Sequence, residues 1–279
     1  MNYRHTFHAG SAADVFKHVI LVALIKALLR KDTAFLYLET HAGTGRYDLL
    51  SDASQKNKEF EEGIQKIVHA MHPPALIQDY LTCVNSLNQP DALRYYPGSP
   101  WFAHYFLRTE DRMVLAEWHP EEIIPLKKLF ADDKRVGIHH QDGYQGLKAF
   151  LPPKERRGLV LIDPPYEKKD ELMSLPALLG ETIKRFETGV YAIWYPIKTS
   201  AQNKLFREAL QAAIKRPFLI TELCVHSDDV AGRLNGSGMV IINPPWQIDQ
   251  QMESFLPWLW NVLTINRQGY FKSTGYNQT

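Results

Sequence analysis

The chain has 279 residues, of which 45% are hydrophobic and 23% charged, and its net charge is +1. This is the balance of an ordinary globular protein with room for one large domain, and the bulk charge argues neither for nor against a nucleic-acid partner. Cys83 and Cys224 match no zinc spacing, and no HExxH-type ligand pair occurs, so neither a disulfide framework nor a metal centre is expected.

The opening "MNYRHTFHAG" has no apolar core and does not read as a signal peptide. Arg4, Lys17, Lys26, Arg30 and Lys31 make the first stretch basic, with Asp14 as its one acid. From Ser11, a good N-cap, the spacing predicts a helix with a basic end suited to its dipole. Its apolar part, "VILVALIKALL" (19–29), is broken by Lys26 and too short to span a bilayer. A cytoplasmic chain without a membrane segment is expected, and a monomer.

"AFLYLE" (34–39) reads as a buried strand feeding the glycine turn "THAGTGRY". The next strand does not start until Arg112, far more chain than a crossover needs. The surplus, 46–95, carries amphipathic pieces such as "NKEFEEGIQKIVHAM" and is expected to be a helical insertion within a single domain, 1–279. Further strands are predicted at 112–117, 134–140, 158–163, 189–196, 218–225 and 238–243, with helices at 120–131, 143–151, 171–187 and 201–215. Alternating β and α segments give a mostly parallel α/β sheet. The last two strands are joined by "HSDDVAGRLNGS", too short for a parallel crossover, so they should pair antiparallel. Seven strands with the last one antiparallel resemble a class I, Rossmann-like, S-adenosylmethionine-dependent methyltransferase.

In such sheets the ligand sits beyond the carboxyl ends of the strands, which singles out the residues found there. Glu39 followed by Gly43 and Gly45 resembles the methyltransferase cofactor loop, and Asp48 in place of a third glycine argues against a dinucleotide. Glu117 could accept from ribose hydroxyls, and Asp142 with Gly143 could meet an adenine. Taken singly, each also reads as an ordinary strand-end acid or turn.

"GLVLIDPPY" ends the fourth strand with Asp163, Pro164, Pro165 and Tyr166. This resembles the D/N-P-P-Y/F/W tip of amino-methyltransferases. Asp163 and the Pro164 carbonyl can accept the two hydrogens of an exocyclic amine, prolines hold those acceptors in place, and Tyr166 offers a face to an unstacked base. A near copy, "NPPW" (243–246), closes the antiparallel strand. It should therefore lie on the opposite sheet edge, with Asn243 stopping the strand and Trp246 packing.

"YRHTFHAGSAADVFKH", "FLYLETHAGTGRY", "LRYYPGSP", "GLVLIDPPY" and "SGMVIINPPW" together resemble the RlmJ family, bacterial 23S ribosomal RNA adenine-N6 methyltransferases, over nearly the whole chain. The resemblance implies S-adenosyl-L-methionine as cofactor and 23S ribosomal RNA as substrate. It implies cofactor contacts at His18, His41, Ser99, Glu117, Asp142, Gly143 and Asp163, with Asp163 also catalytic, and it adds Lys17 as a lesser candidate for the cofactor carboxylate. It implies a substrate contact at Tyr3, beside Pro164 and Tyr166. Arg4 is expected to meet phosphate. The competing readings are a guanine-N2 or DNA adenine methyltransferase and, in another class, a catalytically silent RNA-binding module.

Overall fold

The computed structural model describes residues 4–90, 92–168, 170–227, 233–264 and 266–276. Helix α1 (Ala12–Leu29) leads into β1 (Leu36–Glu39). Between β1 and the next strand of the main sheet lie β2 (Arg46–Asp48), α2 (Asp52–Asn57), α3 (Ile64–His69), α4 (Ala75–Asn85), β3 (Tyr95–Pro97) and α5 (Ser99–Phe106). The chain continues through β4 (Arg112–Glu117), α6 (Ile123–Leu129), β5 (Val136–His140), α7 (Gly143–Phe150), β6 (Gly158–Ile162), α8 (Glu171–Arg185), β7 (Val190–Ile197) and α9 (Ser200–Ala213). It ends with β8 (Phe218–Cys224), β9 (Gly236–Ile242), α10 (Ile248–Leu263) and β10 (Tyr270–Tyr276).

The described strands of the main sheet run in the order β10-β8-β9-β7-β6-β1-β4-β5. β5, β4, β1, β6 and β7 are mutually parallel, and β9 is antiparallel to both β7 and β8. This is the class I methyltransferase arrangement expected above, with one addition. β10 pairs antiparallel with the outer side of β8, giving the sheet an eighth described strand. β2 and β3 form a separate antiparallel pair.

Alternation along the strands explains the two cores. Tyr37, Leu159 and Leu161 face the layer containing α1 and α10, while Leu38, Val160 and Ile162 face α7, α8 and α9. Helix α1 is buried from Asp14 through Ile25, so it is apolar nearly all round rather than one-sided. Ser11 caps it by accepting from the Asp14 amide. Among the described residues, no helix is long and apolar enough to cross a membrane.

The order reverses at β1, whose two neighbours are β4 and β6. The crevice at that switch point opens beyond the carboxyl ends of these strands. It brings together the loop after β1, the end of β4, the tip after β6 and the first turns of α1.

Candidate active site

A cavity of about 510 Å³ occupies this crevice. His18, His41, Ser99, Glu117, Asp163, Pro164 and Tyr166 all line it, beside Gly43, Lys17, His5, Trp194 and Lys198. These seven, together with Lys17, Gly43 and Pro165, were all singled out from the sequence, and they share one cavity. Asp142 and Gly143 stand outside its lining, and Tyr3 lies outside the described residues.

The loop after β1 forms the floor. Gly43 and Gly45 have φ of +60° and +75°, the left-handed region that glycine enters without steric cost. The turn aims the Gly43 amide at Glu117 Oε2, 2.7 Å away. Glu117 Oε1 accepts from the His119 amide at 2.6 Å. The carboxylate is thus clamped at the cavity wall by two backbone donors, and each oxygen keeps a further acceptor site.

Glu39 closes the end of β1 and is fully buried. It accepts from Tyr37 Oη at 2.8 Å and from Ser99 Oγ. Burial pushes its carboxyl up to about 8, against the pull of these hydroxyls and of Lys17. Ser99 begins α5 but does not cap it: Gly98 is the N-cap, and the hydroxyl goes to Glu39 instead.

A chain of polar contacts runs through the first turns of helix α1. His5 Nε2 donates to Asp14 Oδ2 at 2.8 Å. Lys17 Nζ donates to Asp14 Oδ1 at 2.9 Å and to Asp163 Oδ2 at 2.6 Å. Burial alone would drive the Lys17 ammonium toward neutrality, but the two carboxylates hold its pKa above the ordinary lysine value. Burial likewise works against charge on Asp14, yet His5 and Lys17 keep it well below the usual carboxylate range. Lys17 is therefore engaged by two acids, Asp14 and Asp163, on the cavity wall. Arg4, on the exposed surface, forms an ion pair with Glu121.

His18 shares a hydrogen bond with Tyr96 Oη at 2.8 Å through Nδ1, while its buried Nε2 has no partner among the described residues. Burial and the adjacent Lys17 hold the ring well below the ordinary histidine value, so it is neutral. A neutral imidazole with one unsatisfied nitrogen on a cavity wall is a ready ligand for a polar small molecule. Enclosure lowers His41 to about 4 as well.

Asp142 Oδ1 accepts from the Tyr144 and Gln145 amides, capping α7. Gly143 has a packing role besides: a Cβ there would sit 2.0 Å from the Thr40 carbonyl oxygen. The ordinary Asp-Gly helix entry thus accounts for the local geometry of this pair, which supports the wall of the β1 loop from behind.

The tip after β6 completes the cavity. Asp163 is held by Lys17, and Tyr166 adopts φ of +51° and donates its hydroxyl to the Trp194 carbonyl. The Tyr166 and Trp194 rings lie 5.8 Å apart. Asn243, by contrast, donates to the Glu187 and Gly189 carbonyls at 2.8 and 2.7 Å, at the start of β7. The antiparallel strand has carried it to the opposite edge, as expected. Trp246 does not pack: its side chain is exposed, while its carbonyl accepts from Arg30.

Sequence reasoning missed the Asp14 hub, His5, Trp194 and Lys198. Asp14 and Lys17 were legible as a helical i, i+3 pair. Trp194 lies inside a continuous apolar strand, where nothing marks one aromatic as a cavity residue.

The sequence model of the family described as "Ribosomal RNA large subunit methyltransferase D, RlmJ" matches residues 32–274. Ribosomal RNA large subunit methyltransferase J of Escherichia coli K12 is 44% identical over 270 residues, covering 97% of this chain and 96% of that protein. The Haemophilus influenzae protein of the same name is 45% identical, covering 96% of each chain. Among solved structures, protein LPL1258 of Legionella pneumophila superposes with a TM-score of 0.86 at 35% identity, covering 97% of this chain and 98% of that one. With the match extending over the whole sheet, the chain belongs to the RlmJ family of ribosomal RNA large subunit methyltransferases.

Proposed function

We propose that this protein transfers a methyl group from S-adenosyl-L-methionine to N6 of an adenine in 23S ribosomal RNA, acting in the cytoplasm as a single chain. The observation that carries the reading is the Asp163–Tyr166 tip standing on the same cavity as the glycine loop and Glu117. We also read 1–279 as one methyltransferase domain, with 46–95 as its insertion.

The residues present fit the cofactor. Glu117 can take ribose hydroxyls on its free acceptor sites, the unsatisfied His18 Nε2 can meet a polar group of the methionine part, and His41 and Ser99 border the same space. When bound, the cofactor supplies an electrophilic methyl group. The protein's task is to make a poor nucleophile attack it. An adenine amine has its lone pair delocalised into the ring. Asp163 and the Pro164 carbonyl can each accept one N6–H, which favours a pyramidal nitrogen with its lone pair released. Tyr166 and Trp194 offer aromatic surface to an extruded base. Lys17, locked between two carboxylates, holds Asp163 in place through a 2.6 Å ion pair. Asp163 can then stabilise the cationic nitrogen formed on transfer.

Labelled cofactor should mark unmodified 23S RNA and give N6-methyladenosine on digestion. Label found only as N2-methylguanosine, or only on DNA, would move the assignment to the corresponding alternative. RNA binding without detectable cofactor binding would identify a silent module. Asp163→Ala should lower turnover by roughly a hundred- to a thousand-fold with an unchanged circular dichroism spectrum. Wild-type turnover in that variant would remove Asp163 from the mechanism.

A further inference from the structure

A second cavity, of about 330 Å³, adjoins the first and shares Ser11, Ala13, Glu59, Arg233 and Leu234 with it. It lies between the first turn of α1, the loop after α2, and the facing ends of β8 and β9. Its walls include Leu223, Val225 and Leu263. Beside them sits the hydroxyl of Ser237, a residue that is 2% exposed and has no hydrogen-bond partner for this group among the described residues. Ser237 stands on the same face of β9 as Met239 and Ile241, which belong to the core around α1, so it points to the side where the cavity lies. The rim carries the cations Lys58, which pairs with Glu61, and Arg233, which meets His226. The acids Glu59 and Glu62 at the same rim are met by His8 and Lys66.

We propose that this cavity is a second nucleotide pocket, which takes the base next to the target adenosine on the same RNA strand. The inference rests on the methyltransferase reading above, because the position of the target base defines its neighbour. Three features select a nucleobase. Leu223, Val225, Leu234 and Leu263 give the cavity an apolar wall, which suits the two faces of a heterocycle. The buried polar atom left without a partner among the described residues is a hydroxyl that can donate or accept, which suits a base edge and not a charge. The cations stand at the mouth, where the strand's phosphates would run. Because the two cavities share a wall, an unstacked strand can pass from one to the other in one nucleotide step. Ordering both bases would hold the strand on the enzyme while the first is methylated, and unstacked RNA is the form in which base edges and faces are accessible.

The test uses a 23S RNA fragment that the full-length protein methylates, and the same fragment with an abasic residue immediately 5′ or 3′ of the methylated adenosine. With wild-type protein, one of the two abasic fragments should raise KM about ten-fold, the scale of a lost base contact, with kcat within about two-fold. Val225→Phe, which fills the pocket, should raise KM for the intact fragment about ten-fold, leave cofactor affinity unchanged, and erase the difference between intact and abasic RNA. The assignment is overturned if neither abasic fragment changes KM, or if Val225→Phe methylates intact RNA at wild-type KM. Because the abasic arm uses unmodified protein, it decides the matter even if Val225→Phe folds poorly. Absence of label on every RNA overturns instead the methyltransferase reading on which the pocket rests.

Discussion

Glu39 shows how burial and hydrogen bonding compete at one residue. Its carboxyl has no solvent contact, and the cost of desolvating a charge exceeds what two hydroxyl donors and Lys17 return. Its folded-state pKa of about 8 lies above the ordinary value of 4.5. Between those values the unfolded chain has released a proton that the native protein retains, so stability falls as pH rises. The contribution is fully present below about 4.5 and lost above about 8. Thermal melts of the cofactor-free protein from pH 5 to 8.5 should therefore show the wild type losing several degrees more than Glu39→Gln. Parallel curves would mean that Glu39 is ionised throughout. At this scale the sequence was a good guide to which residues meet: His18, His41, Ser99, Glu117 and Asp163 do share a cavity. It was a poor guide to their partners. That Lys17 bridges Asp14 and Asp163 depends on how α1 crosses the β6 tip, a tertiary placement that helical spacing does not encode.

The two proline-proline tips show what an element adds to a motif. Asp163-Pro-Pro ends a strand parallel to β1, and Asn243-Pro-Pro ends one antiparallel to β7. Direction alone separates a cavity residue from a structural plug. Asn243 holds φ of +52° and both amide hydrogens are given to backbone carbonyls of the α8–β7 turn. Asn243→Ala removes both bonds and puts a side chain that disfavours the left-handed region there, at a cost of about 2 kcal/mol. Denaturant titration should show that loss while kcat and cofactor affinity stay at wild-type values; a fall in kcat with stability unchanged would make Asn243 a site residue after all. The antiparallel direction was readable because the β8–β9 connection is too short for a crossover. The exposure of Trp246 was not, because an aromatic after a double proline carries no local sign of whether a neighbour covers it.

The strand that went unpredicted has consequences for the whole molecule. β8, "FLITELC", is buried at every residue, as a strand with neighbours on both sides should be. β9 covers one side, and the other falls to β10, whose "YFKSTGY" has no continuous apolar run and looks like a polar tail. It pairs with β8 from Tyr270↔Cys224 to Tyr276↔Phe218, and Tyr276 stacks on Phe218 with ring centroids 4.7 Å apart. Its polarity suits the job: an edge strand carrying Lys272, Ser273 and Thr274 is a poor template for another chain, whereas bare β8 would be an apolar one. Deleting 266–279 should therefore lower the melting temperature by several degrees and produce concentration-dependent light scattering. None of the residues lining the candidate active-site cavity comes from β10, so cofactor affinity of the remaining monomer should stay within about two-fold of the full-length protein, a change of under half a kcal/mol. A truncated chain that melts normally and stays monomeric would show that β8 tolerates an open edge. One that loses cofactor binding while monomeric and folded would tie the far edge of the sheet to the site by a route other than direct contact.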